Sequence, residues 1–478
     1  MSAPPNQRDR LTALALFAVA LALRVPFRSQ YAYHWDGAQF ALAIQHFDLR
    51  LGQPHAPGYY LYVLLGRLVN VFVGDPHASL VWISVVAGAA LPALGFLLAS
   101  ALYGRAAGVA TAVILATSPL CWFHSEIALT TIVDGALVTA LMLVGWRAIQ
   151  RGGRWRDVVA MAVLLAWIAG NRPQTAVGLL PVWVFVFSKF ERRVVKLMAG
   201  IGLATLFCLA WLAPLAQTAG GWREFSQLLR WKLDFDAQKT LWGGGLPAAR
   251  ESLNVIVRSC WTGLLLAAGI AGVAWRWRVR GTKLAAVMLT WWIVPLIGCG
   301  VLSYTTMPGY ALSYFPALAI VAGRACTRWF FIAAIAITNT VVFLGNVPAG
   351  LTAREILRHD GQLADACAAI RGRYRPEEVL LCHRQEFFVW GLRHFQYHLP
   401  EFSNTLLGRD VSLPAERAGK YRICRGAQTE FVDDWMQAAG GRKLLLVVPP
   451  GEVVALFDDK VDATHAVPVA DGLFELQP

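Results

Sequence analysis

Apolar residues in this chain gather into long blocks instead of recurring with the period of a half-buried helix or strand. Several blocks run more than about 17 residues without a charge, enough for a helix to cross a hydrocarbon layer. The pattern predicts spans at Leu11–Pro26, Ser79–Ala101, Ala107–Phe123, Leu129–Trp146, Val158–Gly170, Thr175–Phe187, Leu197–Gln217, Leu253–Ala274, Leu284–Leu302, Tyr310–Gly323 and Trp329–Val347. The segment Tyr59–Val73 is also apolar, but Arg67 and Asn70 interrupt it, and counting it would invert every later loop. It is expected to lie along the membrane surface as an amphipathic helix. The basic start before Leu11 resembles a secretory signal without a clean cleavage site, so this segment is expected to remain as the first span.

From Leu351 the pattern changes. Arg354–Arg371 and Glu430–Ala439 are spaced as helices, and Glu378–Cys382 and Lys443–Val448 as strands, the latter followed by the break Pro449-Pro450-Gly451. The expectation is a polytopic α-helical membrane protein of about eleven spans over residues 1–350, followed by a small C-terminal α/β soluble domain over 351–478.

Charge then sets the orientation. With the N-terminus in the cytoplasm, segments 1–10, 102–106, 147–157, 188–196, 275–283 and 324–328 hold 17 Lys and Arg in 49 residues, while the opposite-side segments 27–78, 124–128, 171–174, 218–252 and 303–309 hold 9 in 103. Positive residues stay inside, so the C-terminal domain is expected outside, on a bacterial inner membrane. The formal net charge of +13 is thereby explained by topology. The Lys and Arg gather in short loops between apolar blocks, which argues against nucleic acid as a partner. Eight cysteines without CxxC or zinc spacing point to no metal and leave the redox compartment open, since at most one disulfide joins two of Cys367, Cys382 and Cys424.

The loop 27–78 carries the densest chemistry. His34 and Trp35 precede Asp36 at the head of a helix-like stretch, and His55-Ala56-Pro57-Gly58-Tyr59 follows about twenty residues on. Asp36 reads either as a helix cap or as a reactive carboxylate. Glu126 orients a substrate or anchors its loop, and His55 holds an anion or caps the turn. Arg172, in the turn Asn171-Arg172-Pro173-Gln174, offers a planar fork to phosphate or meets lipid headgroups. Arg258 lies inside the eighth span, where it binds substrate or pairs with Glu251 or Asp134. The 218–252 loop, with Trp222, Arg223, Trp231, Lys232 and Trp242, covers an acceptor or only marks the interface.

Tyr33–Gly37 and His55–Tyr60 (HAPGYY) resemble the acidic motif and the HPPGY-type turn in the first outer loop of the GT-C superfamily of integral-membrane glycosyltransferases, which includes protein O-mannosyltransferases and aminoarabinose transferases. Ser118-Pro119-Leu120-Cys121-Trp122 with Glu126, and Pro308-Gly309-Tyr310 with Tyr314-Phe315-Pro316, resemble two further stretches of that superfamily. Asp36 is followed by Gly37 where relatives often carry a second acidic residue, and the Lys common in aminoarabinose transferases is absent.

The resemblance implies transfer of a sugar from a polyprenyl-phosphate donor to a lipid, glycan or protein acceptor at the outer face. Asp36 would be the base, and His55, Tyr59, Glu126, Arg172, Arg258 and Tyr310 would bind substrate, with no metal or cofactor. The chemistry is self-consistent: the phosphate leaves as a weak base and needs cations, while the acceptor hydroxyl needs a proton acceptor. A one-step displacement inverts the anomeric centre. The competing expectation is a transporter or flippase for a lipid-linked sugar, which would carry polar groups at the bilayer midplane and an internal repeat. No repeat is present.

Overall fold

The structure, a computed structural model, describes residues 7–274, 283–303, 305–345, 350–384, 389–407, 420–450 and 466–476. The expected basic loop 275–283 (but for Lys283), the end of the eleventh span at Val347 and the break at Gly451 lie outside the described residues.

Among the described residues, five helices are long and apolar enough to cross a membrane: Gln7–Phe27, Pro76–Tyr103, Thr131–Gln150, Arg193–Thr218 and Lys283–Leu302. Two expected spans are broken. Ala107–Phe123 bends by 56° where Ser118-Pro119 separates Arg105–Thr117 from Pro119–Ser125, because proline supplies no N–H and restricts the residue before it. Leu253–Ala274 turns by 88° between Leu241–Leu264 and Leu266–Val273, with Leu265 at φ 44. Counting each bent pair as one span gives seven. Pro173–Phe187, Phe315–Ala325 and Trp329–Leu344 are shorter apolar helices. The expected segment Tyr310–Gly323 begins as a 3-10 turn, Pro308–Ser313, before the helix at Phe315.

Tyr60–Val73 is a 14-residue helix with an exposed apolar side, Leu64, Leu68, Val71 and Phe72, and a buried one, Tyr62, Val63 and Gly66. Arg67, exposed on this helix, donates to the carbonyls of Ile44 and Ala43, each at 3.1 Å. It thereby satisfies the carboxyl end of the helix Trp35–Gln45.

Among the described residues, the C-terminal region folds around a seven-stranded sheet of order β4-β3-β2-β1-β5-β7-β6. The strands are β1 Val379–His383, β2 Ser403–Leu406, β3 Tyr421–Arg425, β4 Gln428–Val432, β5 Lys443–Val447, β6 Val467–Ala470 and β7 Leu473–Leu476. The β1 strand pairs parallel with β2 and β5; the remaining pairs are antiparallel. Along β1 the side chains alternate between two cores. Val379 and Leu381 pack with Leu363, Ile370 and Phe395, and Leu380 and Cys382 with Leu446 and Ile423, the period of two that a strand imposes. The expected helix and strands appear as Ala353–Arg373, β1 and β5. The expected helix Glu430–Ala439 is corrected: Gln428–Val432 is a strand paired with β3, and only Trp435–Ala439 is helical. Thr429 and Phe431 alternate with polar neighbours and follow the tight turn at Gly426, so cross-strand pairing overrides helical spacing. No disulfide joins any of the eight cysteines among the described residues.

Candidate functional site

The helix Trp35–Gln45 is buried from Gly37 to Ile44, so it is an internal element instead of a surface one. It fits because residue 37 has no side chain: a Cβ there would stand 2.9 Å from the Ala128 carbonyl oxygen. The cap of this helix is His34, whose Nδ1 accepts from the Asp36 backbone N–H at 3.2 Å. Asp36 therefore sits in the first turn with its carboxylate uncommitted to capping. Its Oδ1 is buried and accepts no hydrogen bond among the described residues. Oδ2 lies 3.6 Å from His34 Nδ1, and Oδ1 lies 3.6 Å from His55 Nδ1.

Burial pushes the Asp36 carboxyl up to about 7, against the opposing pull of Lys232 and Arg172. Burial, then the neighbouring His124 and His359, hold His34 down at about 3, so it is neutral at working pH.

The HAPGYY turn brings His55 and Tyr59 to the same place. Asp48 accepts from the Arg50 N–H at 2.8 Å and closes a turn with Gln53. Gly58, at φ 104, donates to the His55 carbonyl at 3.0 Å. Tyr59 itself is held at φ 45, an unfavourable region for a bulky residue that persists where its surroundings enforce it. Its ring packs edge-on against Phe40 and His55 at 5.1 and 5.2 Å, and His55 stacks on Trp35 at 5.3 Å.

Arg172 links the helices Trp155–Asn171 and Pro173–Phe187 in extended backbone. It is 5% exposed, and its guanidinium stands 3.9 Å from the Tyr310 ring centroid. Thr175, in the next turn, donates to Asp134 Oδ2 at 2.8 Å. A cleft opens beside Arg172 and Tyr310, lined further by Thr175, Ser313 and Tyr314.

The amphipathic helix Trp222–Ala237 supplies Lys232, salt-bridged to Asp236 at 2.6 Å, with Lys239 on the other carboxylate oxygen at 3.0 Å. Burial opposes the ionisation of Asp236, but the two lysines outweigh it and hold the carboxyl below its ordinary range. Asp36, Tyr59, Tyr310, Arg172 and this lysine–carboxylate pair share one electrostatic neighbourhood.

Two expected residues fall outside it. Glu126 is fully buried, faces Arg24 and anchors the chain through its carbonyl, which accepts from the Ser29 N–H at 2.8 Å. Arg258 is exposed on its helix and forms no ion pair with Glu251 or Asp134 among the described residues; Thr262 donates to its backbone carbonyl at 2.9 Å. Sequence reasoning missed His34 as the cap, Gln39 and the Lys232–Asp236 pair. The signals were present: Gln39 is one helical turn from Asp36, and Lys232 and Asp236 are spaced i, i+4.

The C-terminal region grips this loop at its backbone. Asp360 accepts from the Gln30 and Tyr31 N–H groups at 2.6 and 3.2 Å, and His398 Nε2 from Ala32 at 3.0 Å. Arg393, 1% exposed, donates to the Leu51 carbonyl at 2.7 Å.

No protein-family model and no curated protein matches the sequence. Solved structures do match in fold. ArnT from Cupriavidus metallidurans bound to undecaprenyl phosphate superposes at a TM-score of 0.62 and 13% identity, covering 91% of this chain and 92% of that one. The same protein in its apo state gives 0.57 at 12% identity with the same coverage. The chain thus has the fold of ArnT, an aminoarabinose transferase of the GT-C superfamily.

Proposed function

We propose that this chain is an integral-membrane glycosyltransferase that moves a sugar from a polyprenyl-phosphate donor to an acceptor hydroxyl at the outer face of the membrane, with inversion. The observation that carries the reading is Asp36: a carboxyl whose buried Oδ1 accepts no hydrogen bond among the described residues, held near neutrality and within the field of Lys232 and Arg172. Undecaprenyl phosphate bound to ArnT, whose fold this chain shares, supports a donor of that class.

In the proposed reaction Asp36 takes the proton of the acceptor hydroxyl as its oxygen bonds to the anomeric carbon. The bond from that carbon to the phosphate oxygen breaks, and the electron pair leaves with the phosphate. Arg172, steadied on Tyr310, and Lys232 hold the phosphate charge. His55 and Tyr59 line the sugar side. Glu126 and Arg258 take no part in this arrangement.

The Lys and Arg asymmetry supports a cytoplasmic N-terminus and an outer C-terminal domain. Eleven crossings remain consistent with that asymmetry if Trp155–Asn171 and the three shorter apolar helices also cross. The C-terminal domain steadies the loop and shapes acceptor access. The test is release of free polyprenyl phosphate by purified protein given a panel of undecaprenyl-phosphate sugars and membrane extracts as acceptors. Release with one sugar is expected; none across the panel would reject the reading.

A further inference from the structure

Hydrogen-bond geometry fixes the protons on both histidines beside Asp36. A backbone N–H can only donate, so His34 Nδ1, which receives the Asp36 N–H at 3.2 Å, carries a lone pair. It shows Asp36 Oδ2 no proton across 3.6 Å. The same rule orients Gln39: the His55 backbone N–H points at its side chain at 3.4 Å, so the facing atom is the oxygen. That oxygen lies 2.6 Å from His55 Nδ1, which must therefore be protonated and donating to Gln39. Asp36 Oδ1 stands 3.6 Å from the same Nδ1, too far for a good hydrogen bond, and accepts none among the described residues.

Resting on the reading of Asp36 as the base, we infer that Gln39 is a positioning residue: it draws the His55 Nδ1–H away from Asp36 and so keeps the carboxylate without a hydrogen-bond donor. Gln39 is 1% exposed on the helix that carries Asp36, one turn away, so the competition is built into a single rigid element. His34 completes it from the other side by spending its Nδ1 lone pair on the helix cap. A carboxylate without donors is a stronger base than one that is hydrogen-bonded. The other groups in the field of Asp36 are Lys232 and Arg172, with Tyr59 and Tyr310 beside them and Asp236 behind Lys232; His124 and His359 face His34.

The test removes the competitor. In Gln39→Leu the His55 N–H turns to Asp36 and stabilises its ionised form. The readout is infrared difference titration of the protonated Asp36 carboxyl, its band assigned by loss in Asp36→Asn. The midpoint should move to lower pH by about one unit, the worth of one hydrogen bond to a charged group, and transfer above neutral pH should slow as the base weakens. In a His55→Phe background, Gln39→Leu should cause no further movement. An unmoved midpoint in a Gln39→Leu protein with native amide bands would overturn the inference, as would an equal shift in the His55→Phe background. This titration needs no turnover, so absence of sugar transfer would reject only the functional reading.

Discussion

The Arg172 guanidinium lies over the face of Tyr310, 3.9 Å from the ring centroid. Two elements far apart in sequence thus build one cationic floor, and the ring fixes the plane of the fork before any anion arrives.

Donor affinity tests this floor. Arg172→Ala should weaken binding of undecaprenyl phosphate about tenfold to a hundredfold, the worth of one charge-assisted contact at roughly 1.5–3 kcal/mol. Arg172→Lys should lose less, since it keeps the charge but not the fork. Isothermal titration in detergent distinguishes them; equal affinity in a folded Ala variant would move the phosphate elsewhere.

The pH dependence follows from the raised Asp36 carboxyl. A base must be ionised, so transfer should climb as pH rises through about 7 and level off above it. A rate profile already flat from pH 5 would mean that the titrating group is not Asp36.

The grip of the C-terminal domain on the loop can be loosened at one side chain. Asp360→Ala leaves the Gln30 and Tyr31 N–H groups without partners, a loss of about 2–4 kcal/mol locally. Faster proteolysis within residues 27–58 and slower transfer are expected, and full activity after deletion of residues beyond Thr352 would remove this role.

Much of the membrane architecture was legible because apolar length is a property of sequence alone. Gln7–Phe27, Pro76–Tyr103 and Arg193–Thr218 fall on their predicted blocks. The bend at Leu265 was not legible, since Gly263 stays within the helix and a leucine takes the positive φ. The strand Gln428–Val432 was hidden by spacing that also fits a helix until β3 pairs with it. Asp36, His55 and Arg172 were singled out from their loops, and Tyr59 and Tyr310 through the family resemblance; the structure places them near one another. Gln39 and His34 were not, because which atom donates is decided by neighbours brought together in space. Lys232 and Asp236 are readable as a helical pair, but their position relative to Asp36 depends on packing.

Topology is checked by reporter fusions. Fusions after Arg154 should report cytoplasm and fusions after Gly350 the outside, as the Lys and Arg distribution requires. Both on one side would contradict the orientation.

The most direct measurement is made on Asp36→Asn. The substitution keeps the shape but removes the proton acceptor, so transfer should fall by about 10² to 10⁴ while undecaprenyl phosphate still binds. Because the folded carboxyl is raised from 3.8 to about 7, its ionisation destabilises the fold as pH rises through that window, by up to about 4 kcal/mol once fully ionised. The Asn variant should therefore melt higher than the native protein at pH 8. An inactive, donor-binding and more heat-stable protein is the predicted result. Near-native transfer by the folded Asn variant would contradict the account, and Asp36 would no longer be the base.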